Sequence, residues 1–88
     1  MSLARYAAKR DAVEAELVDA LQRLGWSVLK VSESGAPDLV AFRRSEARLL
    51  ECKSARGRLT PQQVQWRQTW TGPAPVTIRT LADVEALR

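Results

Sequence analysis

The fold turns on the stretch Pro37-Asp-Leu-Val-Ala-Phe-Arg-Arg-Ser-Glu-Ala-Arg-Leu-Leu-Glu-Cys-Lys53. Two apolar runs, Asp38 to Arg43 and Ala47 to Lys53, are separated only by Arg44-Ser-Glu46, which predicts an antiparallel hairpin. If Arg44 faces Ala47 across the turn, Asp38 lies opposite Lys53 and Val40 lies opposite Glu51. Glu51 and Lys53 are two residues apart, so they project from one face of their strand, and Asp38 joins that face as a cross-strand neighbour. Two carboxylates and a lysine then gather at one end of a hairpin otherwise rich in Leu, Val and Phe. A slip of one residue would disperse them. Any one of these residues alone reads best as part of a solvated face with an Asp–Lys pair. The set reads differently: Glu51 and Lys53 alternate with Leu50 and Cys52 in a strand that is apolar on its other side, and Asp38 follows a Gly35-Ala-Pro37 turn.

Outward from the hairpin, Val13, Leu17, Ala20, Leu21 and Leu24 fall at helical spacing over Arg10 to Leu24, and Gly25 stops the helix. Trp26 to Val31 reads as a strand, and Ser32-Glu-Ser-Gly-Ala-Pro37 as a loop dense in turn residues. On the other side, Ser54-Ala-Arg-Gly-Arg58 is a basic loop. Thr60 caps a helix with Pro61 at its first position, running to about Thr71. Gly72-Pro-Ala-Pro75 breaks it, Val76 to Arg79 is a short strand, and Thr80-Leu-Ala-Asp83 opens a last helix with a capping pattern. The order is α-β-β-β-α-β-α within a single domain over residues 1–88, with residues 1–9 expected to be loosely held.

Composition narrows the chemistry. Hydrophobic residues at 45% and charged residues at 27% are globular proportions. No apolar run approaches a membrane span, and Met1-Ser-Leu-Ala-Arg-Tyr6 lacks the apolar stretch of a secretory signal, so a soluble, cytoplasmic protein is expected. Cys52 is the single cysteine and there is no histidine. Internal disulfides, the common zinc sites and histidine-based nucleophile or general-base systems are thereby excluded. Any metal site must use carboxylates and carbonyls, which suit Mg²⁺ or Mn²⁺. The net charge of +4 is arginine-rich, with Arg43, Arg44, Arg48, Arg56, Arg58 and Arg67 crowding the middle and right of the chain, a pattern that suggests nucleic acid.

Pro37-Asp38 followed by Glu51-Cys52-Lys53 matches the PD-(D/E)XK nuclease signature. Ser34-Gly-Ala-Pro-Asp-Leu-Val40 resembles a Gly-x-Pro-Asp-Leu stretch, and Leu59-Thr-Pro-Gln-Gln63 with Trp66 resembles a segment of the VRR-NUC (virus-type replication-repair nuclease) family. The resemblance covers roughly residues 10 to 85. It implies a restriction-endonuclease-like α/β fold, an αβββαβ core with a mixed sheet flanked by helices, and a metal-dependent endonuclease acting on DNA. Asp38 and Glu51 would hold Mg²⁺ or Mn²⁺, with the Cys52 carbonyl as a further ligand, while the Cys52 side chain can equally be a small buried hydrophobe. Lys53 would orient or help deprotonate the attacking water and steady the developing charge.

The family also carries a glutamate on the first helix. Glu14 and Glu16 are both candidates; Glu14 lies nearer the edge of the apolar stripe, beside Leu17 and Leu21. Gln63 matches a glutamine near the family's active site, yet Thr60 to Gln63 is also a capping box, and Gln62 is the alternative if the helix is rotated. Trp66 and Trp70, four apart, read as a core pair. Arg56 and Arg58 flank a glycine beside the proposed site, as a phosphate clamp or a solvated loop.

The family includes single-domain phage proteins, and this length resembles that kind. A two-fold homodimer presenting two sites would suit a four-way (Holliday) junction, and flaps are the other branched substrate the resemblance implies. The alternatives are a DNA-binding subunit without catalytic activity and a basic interaction protein.

Overall fold

A computed structural model describes residues 2–87, and side chains from Ala12 onward. The elements are α1 (Ser2–Arg23), β1 (Ser27–Lys30), β2 (Leu39–Arg43), β3 (Glu46–Cys52), α2 (Pro61–Thr69), β4 (Val76–Ile78) and α3 (Leu81–Glu85), in the expected order. Helix α1 starts at Ser2 rather than at Arg10. How tightly residues 1–9 are held lies outside the described side chains. At the other end of α1 the Gly25 N–H donates to Gln22 O at 3.1 Å and the Trp26 N–H to Leu21 O at 3.0 Å. This doubly bonded C-cap needs a left-handed residue, and Gly25 supplies it with φ +91°. It also delivers Trp26, 2% exposed, onto Leu21, 0% exposed.

The four strands form one sheet in the order β1-β2-β3-β4. β1 and β2 pair antiparallel, β2 and β3 pair antiparallel, and β4 pairs parallel to β3 after the α2 crossover. The hairpin register differs from expectation by two residues: Arg43 pairs with Glu46, Phe42 with Ala47 and Leu39 with Leu50. The turn is therefore only Arg44-Ser45, and Arg44 takes φ +59° to make it. Continued by one step, this register sets Asp38 opposite Glu51, not opposite Lys53. A shift of two keeps every side chain on its face.

One face of the sheet carries the core. Leu39, Ala41, Leu50, Cys52 and Ile78 pack with Leu17 and Leu21 of α1 and Val84 of α3. By strand alternation Glu51 belongs to the opposite face, where Gln63 of α2 meets it. Gln63 is the buried residue of α2. The tryptophan pair on that helix is accordingly not in the core. Trp66 is half-buried, Trp70 is 41% exposed, and their rings stack on each other at 4.7 Å. The Trp66 indole N–H goes to Glu33 Oε2 (2.9 Å) in the loop between β1 and β2, and that of Trp70, the C-cap residue of α2, to Pro73 O (2.8 Å) just beyond the helix.

Candidate active site

Asp38 stands where the chain enters β2, beside the point where it leaves β3. Asp38 Oδ2 accepts the Cys52 N–H at 2.8 Å, so the carboxylate is fixed by the end of the neighbouring strand. Glu14 reaches the same point from α1: a carboxylate oxygen of Glu14, one of Asp38 and Cys52 Sγ all lie within 4.8 Å of one another. Lys30 Nζ sits 3.7 Å from Glu14 Oε2. Glu16 is exposed on the same helix. Of the two helix glutamates, Glu14 is the one turned toward Asp38. The Cys52 side chain is 3% exposed and belongs to the core.

A second group adjoins the first through Glu51-Cys52-Lys53. Glu51, 1% exposed, receives the Gln63 Nε2–H on Oε2 at 3.1 Å, and Lys53 Nζ lies 3.7 Å from the same oxygen. Gln63 Oε1 accepts from Lys53 Nζ at 2.8 Å and from the Thr60 N–H at 2.9 Å, while the Gln63 N–H donates to Thr60 Oγ1 at 3.2 Å. The amide orientation follows from these partners, since a flip would aim its N–H at two donors and its oxygen at a carboxylate. Gln63 closes the capping box, and the same side chain bridges Lys53 to Glu51. Gln62 instead donates to Ser34 Oγ. Asp38 and Glu51 fall into adjoining groups, Asp38 with Glu14 and Cys52, Glu51 with Lys53 and Gln63. A cleft of about 320 Å³ touches both, lined by Asp38 and Gln63 together with Ser34, Thr60 and Gln62.

Sequence reasoning missed the fastening of this cleft's outer wall. Gln62 to Ser34 and Trp66 to Glu33 tie the β1–β2 loop to α2. Gly35 makes that approach feasible, because a Cβ there would stand 3.0 Å from Gln62 O. Pairing of loop polar groups with a distant helix has no local signature. Arg56 and Arg58 are exposed on the loop after Lys53. The arginines at the hairpin tip stand at the far end of β3, and two have structural partners: Arg43 lies 4.2 Å above the Trp26 ring and donates to Leu24 O, and Arg48 pairs with Glu46 at 2.7 Å.

A mixed sheet flanked by helices, with an aspartate and a Glu-x-Lys run at one end of its central hairpin, defines the restriction-endonuclease-like class of α/β proteins. The chain belongs to the archaeal Holliday junction resolvase (hjc) family, whose model matches residues 6–68, from α1 through nearly all of α2. That family lies within the PD-(D/E)XK-type nucleases. The match is to it rather than to the VRR-NUC branch that Leu59 to Trp66 resembles. No curated protein and no solved structure matches. Among the described residues no helix is long and apolar enough to cross a membrane.

Proposed function

We propose that this chain is a Mg²⁺- or Mn²⁺-dependent endodeoxyribonuclease selective for branched DNA, with the four-way junction as its substrate. The observation that carries the reading is the meeting of the Glu14 and Asp38 carboxylates beside the Glu51–Gln63–Lys53 network, within the segment that matches a junction-resolvase family. The donor set fits a divalent cation. Two carboxylate oxygens from different elements converge without histidine, and one of them is already oriented by a backbone N–H. Asp38 and Glu14 would hold the ion, with Glu51 and the Cys52 carbonyl completing its oxygen shell. When bound, such an ion polarises the scissile phosphate and makes a coordinated water more acidic.

The remaining work falls to the chain's own groups. Lys53 brings an ammonium whose side chain is only 12% exposed, held between Gln63 Oε1 and Glu51 Oε2. Held there, it orients the attacking water and donates to a phosphate oxygen as negative charge builds. Gln63 keeps that ammonium in place. Arg56 and Arg58 are exposed on the loop that follows Lys53 and would clamp the flanking phosphates. A homodimer would present two such sites to a symmetric junction.

The test is cleavage of a four-way junction, a flap and a matched duplex in Mn²⁺ by the wild type and Lys53→Ala. The reading expects the junction to be cut at least about tenfold faster than the duplex, and the activity to fall by about a hundredfold or more in Lys53→Ala. Junction binding without cleavage by the wild type would instead identify a DNA-binding subunit. Equal cutting of all three substrates would remove the selectivity and leave a nuclease.

A further inference from the structure

Strand β4 ends at Ile78, opposite Cys52, and the Lys53 N–H donates to Ile78 O at 3.0 Å. Arg79 therefore leaves the sheet next to the place where the chain leaves β3 after Lys53. Its own N–H is anchored on Asp83 Oδ2 at 2.7 Å, which sets where its side chain begins. Its guanidinium then reaches across to the loop that follows Lys53. Nη1 donates to Ser54 O at 2.7 Å and to Gly57 O at 2.6 Å. Those carbonyls are the two ends of one turn, which is also closed by the Gly57 N–H to Ser54 O at 3.1 Å. Gly57 in turn backs onto the catalytic candidate: a Cβ there would meet Lys53 Cδ at 3.4 Å. One cation thus ties both ends of a turn that walls the stem of Lys53, while Gln63 and Glu51 hold its head.

We propose that Arg79 is a positioning residue for Lys53, acting through the Ser54–Gly57 turn. The inference rests on the nuclease reading and deepens it. Arginine suits the task because a single planar Nη1 carries two N–H groups in fixed directions, one for each carbonyl. Both are engaged with the protein, so this nitrogen serves the turn and not an incoming phosphate. Without the clamp, the turn keeps its single closing bond from the Gly57 N–H to Ser54 O, and the lysine stem loses a fixed neighbour. The ammonium then spends less time where the chemistry needs it, and a small displacement of a reacting group is costly in rate. Arg79 lies beyond residues 6–68, outside the segment that matches the family.

The experiment measures single-turnover cleavage of a saturating four-way junction in Mn²⁺ by the wild type, Arg79→Met, Arg79→Lys, Lys53→Ala and the Lys53→Ala/Arg79→Met double variant. Junction affinity is measured in parallel, and amide hydrogen exchange on each folded protein. Arg79→Met should lower the maximal rate about tenfold with junction affinity within about twofold, and Arg79→Lys should recover part of the loss. Exchange at the Gly57 amide should speed up while the Lys53 amide, bonded to Ile78 O, stays protected. In the Lys53→Ala background the arginine change should lower the residual rate no further. If Arg79→Met does not fold, Arg79→Lys carries the same comparison with a smaller expected loss. Wild-type rates in the folded Arg79 variants, with Lys53→Ala slowed to its residual rate, overturn the positioning role and leave the nuclease reading intact. An undiminished further loss in the double variant also overturns it, because Arg79 would then act other than through Lys53. A wild type that cuts no DNA removes the nuclease reading first, and this inference with it.

Discussion

Replacing Gln63 with methionine should cost this domain about 2–4 kcal/mol. Methionine matches glutamine in length and fills its 7%-exposed site, so little cavity forms and the loss is mainly polar. The Thr60 N–H loses its capping-box acceptor, a contact worth about 0.5–1 kcal/mol that water partly replaces because Thr60 is exposed. Glu51, almost wholly buried, loses a donor at 3.1 Å, and Lys53 loses an acceptor at 2.8 Å. Hydrogen bonds to charged groups contribute about 1.5–3 kcal/mol each. The Lys53–Glu51 pair, now at 3.7 Å, can close and return some of that. Against the roughly 4–13 kcal/mol total expected of a domain this size, the change is large. Urea unfolding followed by tryptophan fluorescence measures it, with the slope against urea checked for constancy. Gln63→Glu is the control. It keeps an acceptor for Thr60 and Lys53 but sets a second carboxylate against Glu51, so it too should be destabilised at neutral pH. A Gln63→Met protein within about 0.5 kcal/mol of wild type would refute the network as a source of stability.

Two further outcomes follow from the structure. Gly35→Ala should destabilise by about 1–3 kcal/mol in the same urea assay, since the residue has φ +81° and a Cβ would press on Gln62 O at 3.0 Å. Asp83 has its carboxyl held below the ordinary aspartate range, first by the Arg79 N–H; burial, the next largest effect, opposes this, and the N–H and hydroxyl of Thr80 and the Arg79 charge add to the lowering. A depressed folded-state value means the contribution is fully present at neutral pH and down to about pH 4, then disappears as the folded carboxyl takes a proton. Stability measured from pH 7 to pH 3 should therefore show an acid limb that is shallower in Asp83→Asn.

The hairpin and the faces of its strands were legible in the alternation of Leu50 and Cys52 with Glu51 and Lys53. Its register was not, because a two-residue turn is signalled by Gly or Asn at positive φ and here Arg44 takes that role. The error of two residues did no harm to the site, since strand faces repeat every two. Gly25 announced the end of α1 through the conformation it adopts. Trp66 and Trp70 misled for a physical reason: helical spacing puts two rings side by side but does not say whether the shared side is covered. Asp38 and Glu14 could be read from motif and stripe. The division of the carboxylates, Asp38 toward Glu14 and Glu51 toward Gln63 and Lys53, depends on rotamers that spacing does not encode. Arg79 was invisible because its partners are backbone carbonyls, which any residue can supply.

The most direct test of the account is single-turnover cleavage of a four-way junction in Mn²⁺ by Asp38→Asn, with junction binding measured on the same preparation. Asparagine retains an oxygen that can accept the Cys52 N–H, so the strand end and the fold should survive. What it lacks is the charge that, with Glu14, would hold a divalent cation. Binding should persist or strengthen slightly, because a carboxylate near phosphate is repulsive until a cation neutralises it. The account predicts junction bound and not cut; cutting at the wild-type rate would contradict the assignment of the site and the nuclease reading built on it.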